Sequence, residues 1–242
     1  MRGGLGMVEG RMAAVVLAGG RGTRMGTETP KQFLEIAGKP MIWHTLKAFE
    51  ESDADELVLV APEGGAEYCR KEIVEKYGFR KVRHIVEGGA ERYDSVYAGL
   101  LALRDSGCSL VAVQDGARCM VTPDIIRRSY EAAEQYGACV IAVPSKDTIK
   151  LADDEGFAAE TLPRQRLWTI QTPQTFRYDL CLRAYSIMMS SPETKEGVTD
   201  DAMAVERFTD TKVKLVMGDY RNIKVTTKED LAAAETYLRE RM

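Results

Sequence analysis

Short apolar runs alternate with stretches in which apolar positions recur at helical spacing, and this alternation organises most of the chain. The first run, residues 13–17, is β-prone and delivers the chain into glycines. Residues 41–51 place Ile42, Leu46 and Phe49 on one helical face, and 57–61 form a compact apolar run closed by Pro62. The pattern then predicts a helix over 68–77, a strand over 82–86, a helix over 93–103 and a strand over 110–114. A helix over 124–136, following Pro123, and a strand over 139–143 continue it. Apart from Arg83, His84 and Gln114, these runs are apolar rather than alternating, as in strands covered on both faces by helices. The predicted fold class is therefore α/β, a doubly wound, mostly parallel sheet.

Regularity breaks between 144 and 176, where no long amphipathic helix occurs, β-prone residues recur, and Pro163 and Pro173 punctuate the chain. A stretch of this length without a helix is more often functional than idle, and it reads as an arm of strands leaving the domain. A helix over 178–189, a polar loop over 190–197 and a helix from Thr199 follow, with Asp200 and Asp201 in its first turn, where the helix dipole favours acids. Residues 213–217 predict a strand and 227–239 a closing amphipathic helix.

Length and composition fit one large domain: 242 residues, 45% hydrophobic and 29% charged, can bury a full core. We assign 12–242 to that single domain, with the arm at about 144–176, and read 1–11 as a Gly-rich disordered tail in which Met7 and Met12 are alternative starts. A net charge of -4 excludes a general nucleic-acid or membrane surface, so any cationic function must be local. The five cysteines (Cys69, Cys108, Cys119, Cys139, Cys181) form no C-x-x-C pair. Neither a zinc site nor a disulfide framework is indicated, and a reducing cytoplasm is the simplest compartment. No apolar run approaches transmembrane length.

The chemistry concentrates in Leu17-Ala18-Gly19-Gly20-Arg21-Gly22-Thr23-Arg24-Met25, followed by Pro30-Lys31-Gln32. Unhindered glycine amides can wrap phosphate oxygens, while Arg24 and Lys31 supply charge where a phosphoryl group becomes more negative under attack. A dinucleotide fingerprint is excluded because Met25 stands where the third glycine is needed, and a P-loop because Gly-Lys-Ser/Thr is absent. A glycine-rich β-to-α turn with two solvated cations remains the alternative for this stretch alone. Ligands of open parallel sheets sit at the carboxyl ends of the strands. The loops there carry Gly88-Gly89-Ala90-Glu91-Arg92 with Asp94-Ser95-Val96, then Asp115-Gly116-Ala117-Arg118, and then Gly218 to Lys224.

The motifs L-A-G-G-x-G-T-R-M, P-K-Q, G-G-x-E-R-x-D-S-V, D-G-A-R, R-L-W-x-x-Q-T-P-Q, V-T-D-D-A and N-I-K-V-T occur in this order from Ala13 onward. Together they resemble the 2-C-methyl-D-erythritol 4-phosphate cytidylyltransferases. The glycine loop alone would indicate only a nucleotidyltransferase Rossmann-like fold, whereas R-L-W, T-D-D-A and N-I-K are more specific. Ribitol-5-phosphate cytidylyltransferases share the fold and the CTP chemistry, and Leu167-Trp168 with Thr199-Asp200-Asp201-Ala202 favour the methylerythritol side. A regulatory relative that binds nucleotide without turnover is a further alternative, which retention of Arg24 and Lys31 opposes.

The resemblance implies transfer of CMP from CTP to a polyol phosphate, with pyrophosphate released and Mg2+ bound mainly through the CTP phosphates, without a dedicated protein metal site. Matching motifs make Arg24 and Lys31 the catalytic cations. Ala18, Gly19, Gly20 and Gly22 line the nucleotide, Gly89 and Ser95 read the cytosine edge, and Asp115 and Gly116 lie by the ribose and reacting phosphates. Lys224 and Arg164 hold the acceptor phosphate, with Arg118, Thr148, Thr172 and Thr199 adding hydrogen bonds and Arg166 a rival for the part of Arg164. In the family the β-arm crosses to a second subunit, so a homodimer is implied. An acceptor that is already an anion needs no Ser-His-Asp apparatus, and His44 and His84 read as structural. The chain departs from the common pattern at Gln114 and Cys119, which flank the D-G-A-R motif in place of His and Pro, at Ala90, which replaces a frequent acid, and at Arg221, which adds positive charge before Asn222.

Overall fold

A computed structural model describes residues 10–19 and 30–241. Most of the anticipated N-terminal tail lies outside the described residues, as do Gly20, Gly22 and Arg24. Strand β1 (Arg11–Leu17) opens the fold. A 3-10 turn (Lys31–Phe33), the two-residue strands β2 (Glu35–Ile36) and β3 (Lys39–Pro40), α1 (Met41–Glu50) and β4 (Glu56–Ala61) follow. Helix α2 (Ala66–Tyr68) runs on as a π-helix (Cys69–Glu75) into β5 (Val82–Glu87), α3 (Arg92–Ala102) and β6 (Cys108–Asp115). Then come α4 (Pro123–Tyr136), β7 (Ala138–Pro144), β8 (Lys150–Ala152), β9 (Ala158–Thr161), a 3-10 turn (Arg164–Arg166) and β10 (Trp168–Arg177). The chain ends through α5 (Tyr178–Met188), α6 (Pro192–Lys195), α7 (Asp201–Phe208), β11 (Lys214–Met217) and α8 (Lys228–Arg239).

Seven of these strands form one sheet in the order β11-β7-β10-β6-β1-β4-β5. All pairings are parallel except those of β10, which runs antiparallel between β6 and β7. The expected α/β class with a mostly parallel sheet is borne out. Because side chains alternate across a strand, β1 feeds two cores. Ala14 and Val16 pack with α1, α4 and the π-helix, whereas Ala13, Val15 and Leu17 pack with α3, α5 and α7. A smaller cluster seats Ala234 and Leu238 of α8 against Ile36, Met41, Cys119 and Val225, closing the fold beside the carboxyl end of β6.

Local chemistry sets the element ends. The Thr122 hydroxyl accepts from the Ile125 N–H at 3.1 Å, Pro123 occupies the first turn of α4, and Gly137 ends that helix with φ of 84°. Two expectations change. The edge strands β5 and β11 are only partly covered rather than buried on both faces. The stretch 144–176 also divides: β8, β9 and the 3-10 turn are exposed throughout, while β10 re-enters the central sheet, with Gln171 to Phe176 buried. The exposed part of this stretch thus ends before the buried run of β10.

Leu59 is fully buried on central β4. Leu59→Ala should lower unfolding stability by about 2–5 kcal/mol, measured by urea denaturation, and a change under about 1 kcal/mol would mean that this core face is loosely packed.

Candidate active site

A crevice opens where β1 and β6 end. Leu17 and Asp115 are register partners at the carboxyl ends of these strands. Helix α1, which follows β1, packs on one face of the sheet and α3, which precedes β6, on the other, so this is the topological switch point of the sheet. The Gly116 N–H donates to the Leu17 carbonyl at 2.9 Å. A Cβ at Gly116 would stand 2.5 Å from that oxygen, so only glycine allows the two strand ends to approach this closely.

The cleft has a volume of about 280 Å³. Gly19, Lys31 and Gln32 line one side, Gly89, Ala90, Arg92 and Ser95 another, and Asp115, Gly116, Lys224 and Thr226 a third. Lys31 donates from Nζ to the Val225 carbonyl at 2.9 Å, and the Val225 N–H donates to the Ala117 carbonyl at 2.9 Å. The N-I-K-V-T stretch is thus held between Lys31 and the D-G-A-R loop. Gln32, itself buried, donates to the Gly19 carbonyl just beyond β1.

Asp115 is the electrostatic centre. Its Oδ2 lies 2.8 Å from Lys224 Nζ and 3.9 Å from Arg118 Nε, and its Oδ1 accepts from Arg92 Nε at 3.2 Å. Burial acts to raise the Asp115 pKa, but Arg92, Lys224 and Arg118 together outweigh it and hold the carboxyl well below the usual carboxylate range. The main chain of Asp115 is fixed too: its N–H donates to Thr172 Oγ1 at 3.2 Å, and its carbonyl accepts from Gln114 Nε2 at 3.1 Å.

Several candidate residues therefore meet in one place: Gly19, Lys31, Gly89, Ser95, Asp115, Gly116 and Lys224. Others stand apart. Ala18 is fully buried and its N–H is committed to the Val60 carbonyl at 2.8 Å. Arg118 and Thr172 lie behind Asp115, with Arg118 donating to the carbonyls of Asn222 at 2.8 Å and Ile170 at 3.2 Å. Thr148, Arg164 and Arg166 are exposed on the arm, and Thr199 is exposed just before α7. His44 bonds the Ile36 carbonyl at 2.9 Å and His84 is exposed on β5; neither lines the cleft. Of the departures, Cys119 is buried beneath α8 with its thiol pushed up to about 12 by burial. Arg221 turns away from the cleft to Glu240 at 3.1 Å and the ring of Tyr237.

A sequence profile described as 2-C-methyl-D-erythritol 4-phosphate cytidylyltransferase matches residues 12–240. The chain belongs to this family. It is 47% identical over 232 residues to the 2-C-methyl-D-erythritol 4-phosphate cytidylyltransferase of Alkaliphilus oremlandii, covering 96% of each chain. It is 49% identical over 233 residues to that of Pelotomaculum thermopropionicum, covering 96% of this chain and 95% of the relative. Among solved structures, the 4-diphosphocytidyl-2C-methyl-D-erythritol synthase from Anaerococcus prevotii is similar with a TM-score of 0.82 and 34% identity, over 95% of this chain and 98% of that one. The 2-C-methyl-D-erythritol 4-phosphate cytidylyltransferase from Thermus thermophilus is similar with a TM-score of 0.74 and 30% identity, over 93% and 98%.

Sequence reasoning passed over Arg92. In this cytidylyltransferase-family cleft it joins Asp115 to Asp201, with Nη1 and Nη2 on the two oxygens of Asp201 at 2.8 and 2.7 Å. The signal was available: Arg92 is the first residue of α3, where the helix dipole disfavours a cation, so an acid partner from elsewhere was required.

A carboxyl whose folded pKa is depressed stabilises the fold above its unfolded pKa, and that stability is lost as pH falls through the folded value. Asp115→Asn should therefore lower stability near pH 7 and flatten its fall below about pH 4, the usual carboxylate range. Urea denaturation across this range checks it; parallel wild-type and variant curves would show that the three cations do not stabilise the charged form.

Proposed function

We propose that this chain transfers the cytidylyl group of CTP to 2-C-methyl-D-erythritol 4-phosphate, giving 4-diphosphocytidyl-2-C-methyl-D-erythritol and pyrophosphate for isoprenoid precursor synthesis. The observation that carries this reading is the convergence of Lys31, Lys224 and Asp115 in the switch-point cleft of a chain from this family. An oxygen of the acceptor phosphate attacks the α-phosphorus of CTP. The bond from that phosphorus to the oxygen bridging to the β-phosphorus breaks, and pyrophosphate departs with the electron pair. Both reacting groups are anionic, so positioning and charge neutralisation supply most of the catalysis.

In this reading Lys31, with Arg24 of the glycine loop, stabilises charge growing on the α-phosphate and the departing pyrophosphate. Gly89 and Ser95 face the cytosine, where a carbonyl acceptor and a hydroxyl distinguish its amino group from a uracil oxygen. Gly19 and Gly116 give the nucleotide close access to the backbone. Lys224 receives the acceptor phosphate, while Arg118 and Thr172 act through the loop that carries Asp115.

Among the described residues no group of three His, Cys, Asp or Glu side chains is placed to hold a metal ion. Asp115 keeps unused lone pairs beside those taken by Arg92 and Lys224, which suits a Mg2+ held chiefly by triphosphate oxygens. When bound, that ion supplies charge neutralisation on the phosphates. The arm points to a homodimer: Ile149, Leu151 and Phe157 are exposed, Phe157 by 67%, and Thr148 and Arg164 lie on the same projection. Crossing arms would place Arg164 at the cleft of the other copy. A cytoplasmic location fits five buried, unpaired cysteines, and no helix among the described residues is long and apolar enough to cross a membrane.

Incubation with CTP, Mg2+ and methylerythritol phosphate should release pyrophosphate. No release with that acceptor, but release with ribitol 5-phosphate, would reassign the substrate. Lys31→Ala should lower kcat on the order of a hundredfold, and Arg164→Ala should also be impaired. Mixed Lys31→Ala and Arg164→Ala chains should recover partial activity through one intact site per mixed dimer; no recovery would place Arg164 in the service of its own chain.

A further inference from the structure

None of the residues of the V-T-D-D-A motif lines the cleft. Its two acids have separate partners. Asp200 caps α7 by accepting from the Met203 N–H at 2.9 Å, and it accepts from Gln174 Nε2 of β10 at 3.0 Å. The Ala202 N–H donates back to Gln174 Oε1 at 2.7 Å, so this acid docks the helix on the sheet. Asp201 is fully buried and points the other way, toward Arg92. The Tyr185 hydroxyl of α5 also donates to Asp201 Oδ1.

We propose that Arg92, clamped from behind by Asp201, which Tyr185 holds in turn, is a positioning residue that fixes the Asp115 carboxylate for cytidylyl transfer. This rests on the activity proposed above. The two-pronged contact with Asp201 sets the guanidinium plane, because a planar fork bound at both Nη atoms cannot turn without losing two charge-assisted bonds. Its remaining edge, Nε, is then aimed at Asp115 Oδ1. Oδ2 is left to face Lys224.

Charge balance gives Asp201 a second effect. The Arg92–Asp201 pair is neutral, so Arg92 can orient Asp115 without cancelling its charge. Without Asp201 the guanidinium is released to form its own two-pronged pair with Asp115, which would occupy the oxygens needed by the nucleotide and its cation. Here the arginine lines the cleft and spans α3, α7 and the end of β6.

A double-mutant cycle tests this with CTP and methylerythritol phosphate as substrates. Asp201→Asn should lower kcat about tenfold or more while leaving KM for the acceptor within about twofold, and Arg92→Lys, which keeps the charge but loses the fork, should do the same. In an Asp115→Asn background, Asp201→Asn should cost less than about twofold further, because the residue it positions has already gone. Equal losses in both backgrounds would overturn the proposal, as would a kcat that recovers once corrected for the folded fraction read by thermal unfolding. Where Asp201→Asn does not fold, Tyr185→Phe removes one Asp201 donor at nearly constant volume and takes its place in the same cycle, with the same outcomes. Wild-type protein that releases no pyrophosphate would count against the activity; active wild type with additive losses would count only against the positioning role.

Discussion

A carboxylate taken out of water at the end of a central strand is unfavourable unless several cations meet it, and much of this molecule converges on supplying them to Asp115. Arg92 comes from α3, Lys224 from the loop after β11, and Arg118 from the turn beyond Asp115 itself. Arg92 is held by Asp201 of α7 and Arg118 by the carbonyls of Asn222 and of Ile170 on β10, while the Val225 N–H ties the segment carrying Lys224 to the Ala117 carbonyl. The ends of elements distant in sequence are thus tied to one oxygen pair. Set against the two acids, Asp115 and Asp201, the three cations leave that side of the cleft positive, the sign that polyphosphates require.

Much of the fold was legible because parallel strands covered by helices have an unmistakable composition. The runs at 13–17, 57–61, 110–114 and 139–143 each match an observed strand, and the caps at Thr122 and Gly137 delimit α4 as the local chemistry dictates. What escaped was β10. Its run Trp168–Arg177 buries Gln171, Thr172, Gln174 and Thr175 and breaks register between Ile170 and Gln174, so its polarity hides a central strand. Those polar groups are satisfied by other loops: Gln171 donates to the Asp219 carbonyl at 2.8 Å, and Asn222 donates to the Thr172 carbonyl at 2.9 Å. Partners of that kind are long-range and leave no mark on local pattern.

The site divided in the same way. Glycines and cations directly after strands were readable, since the sheet rule places them at the crevice. Residues acting through a second side chain were not. Thr172 carries no local sign that its hydroxyl accepts the Asp115 N–H, and Asp201 looked like an ordinary first-turn acid until its complete burial became visible. Nor does the glycine motif show that the Ala18 amide is taken up by the Val60 carbonyl at the end of the sheet.

The antiparallel insertion of β10 governs the order in which the molecule can be assembled during synthesis. The sheet neighbours of β7 are β10 and β11, and both emerge from the ribosome after it. The half-sheet β5-β4-β1-β6 can zip together from early segments, whereas β7 must wait, unpaired, through the whole length of the exposed hairpin. Lys224 arrives later still. A nascent chain can therefore hold the walls of the cleft that carry Lys31, Ser95 and Asp115 well before Lys224 completes the third side.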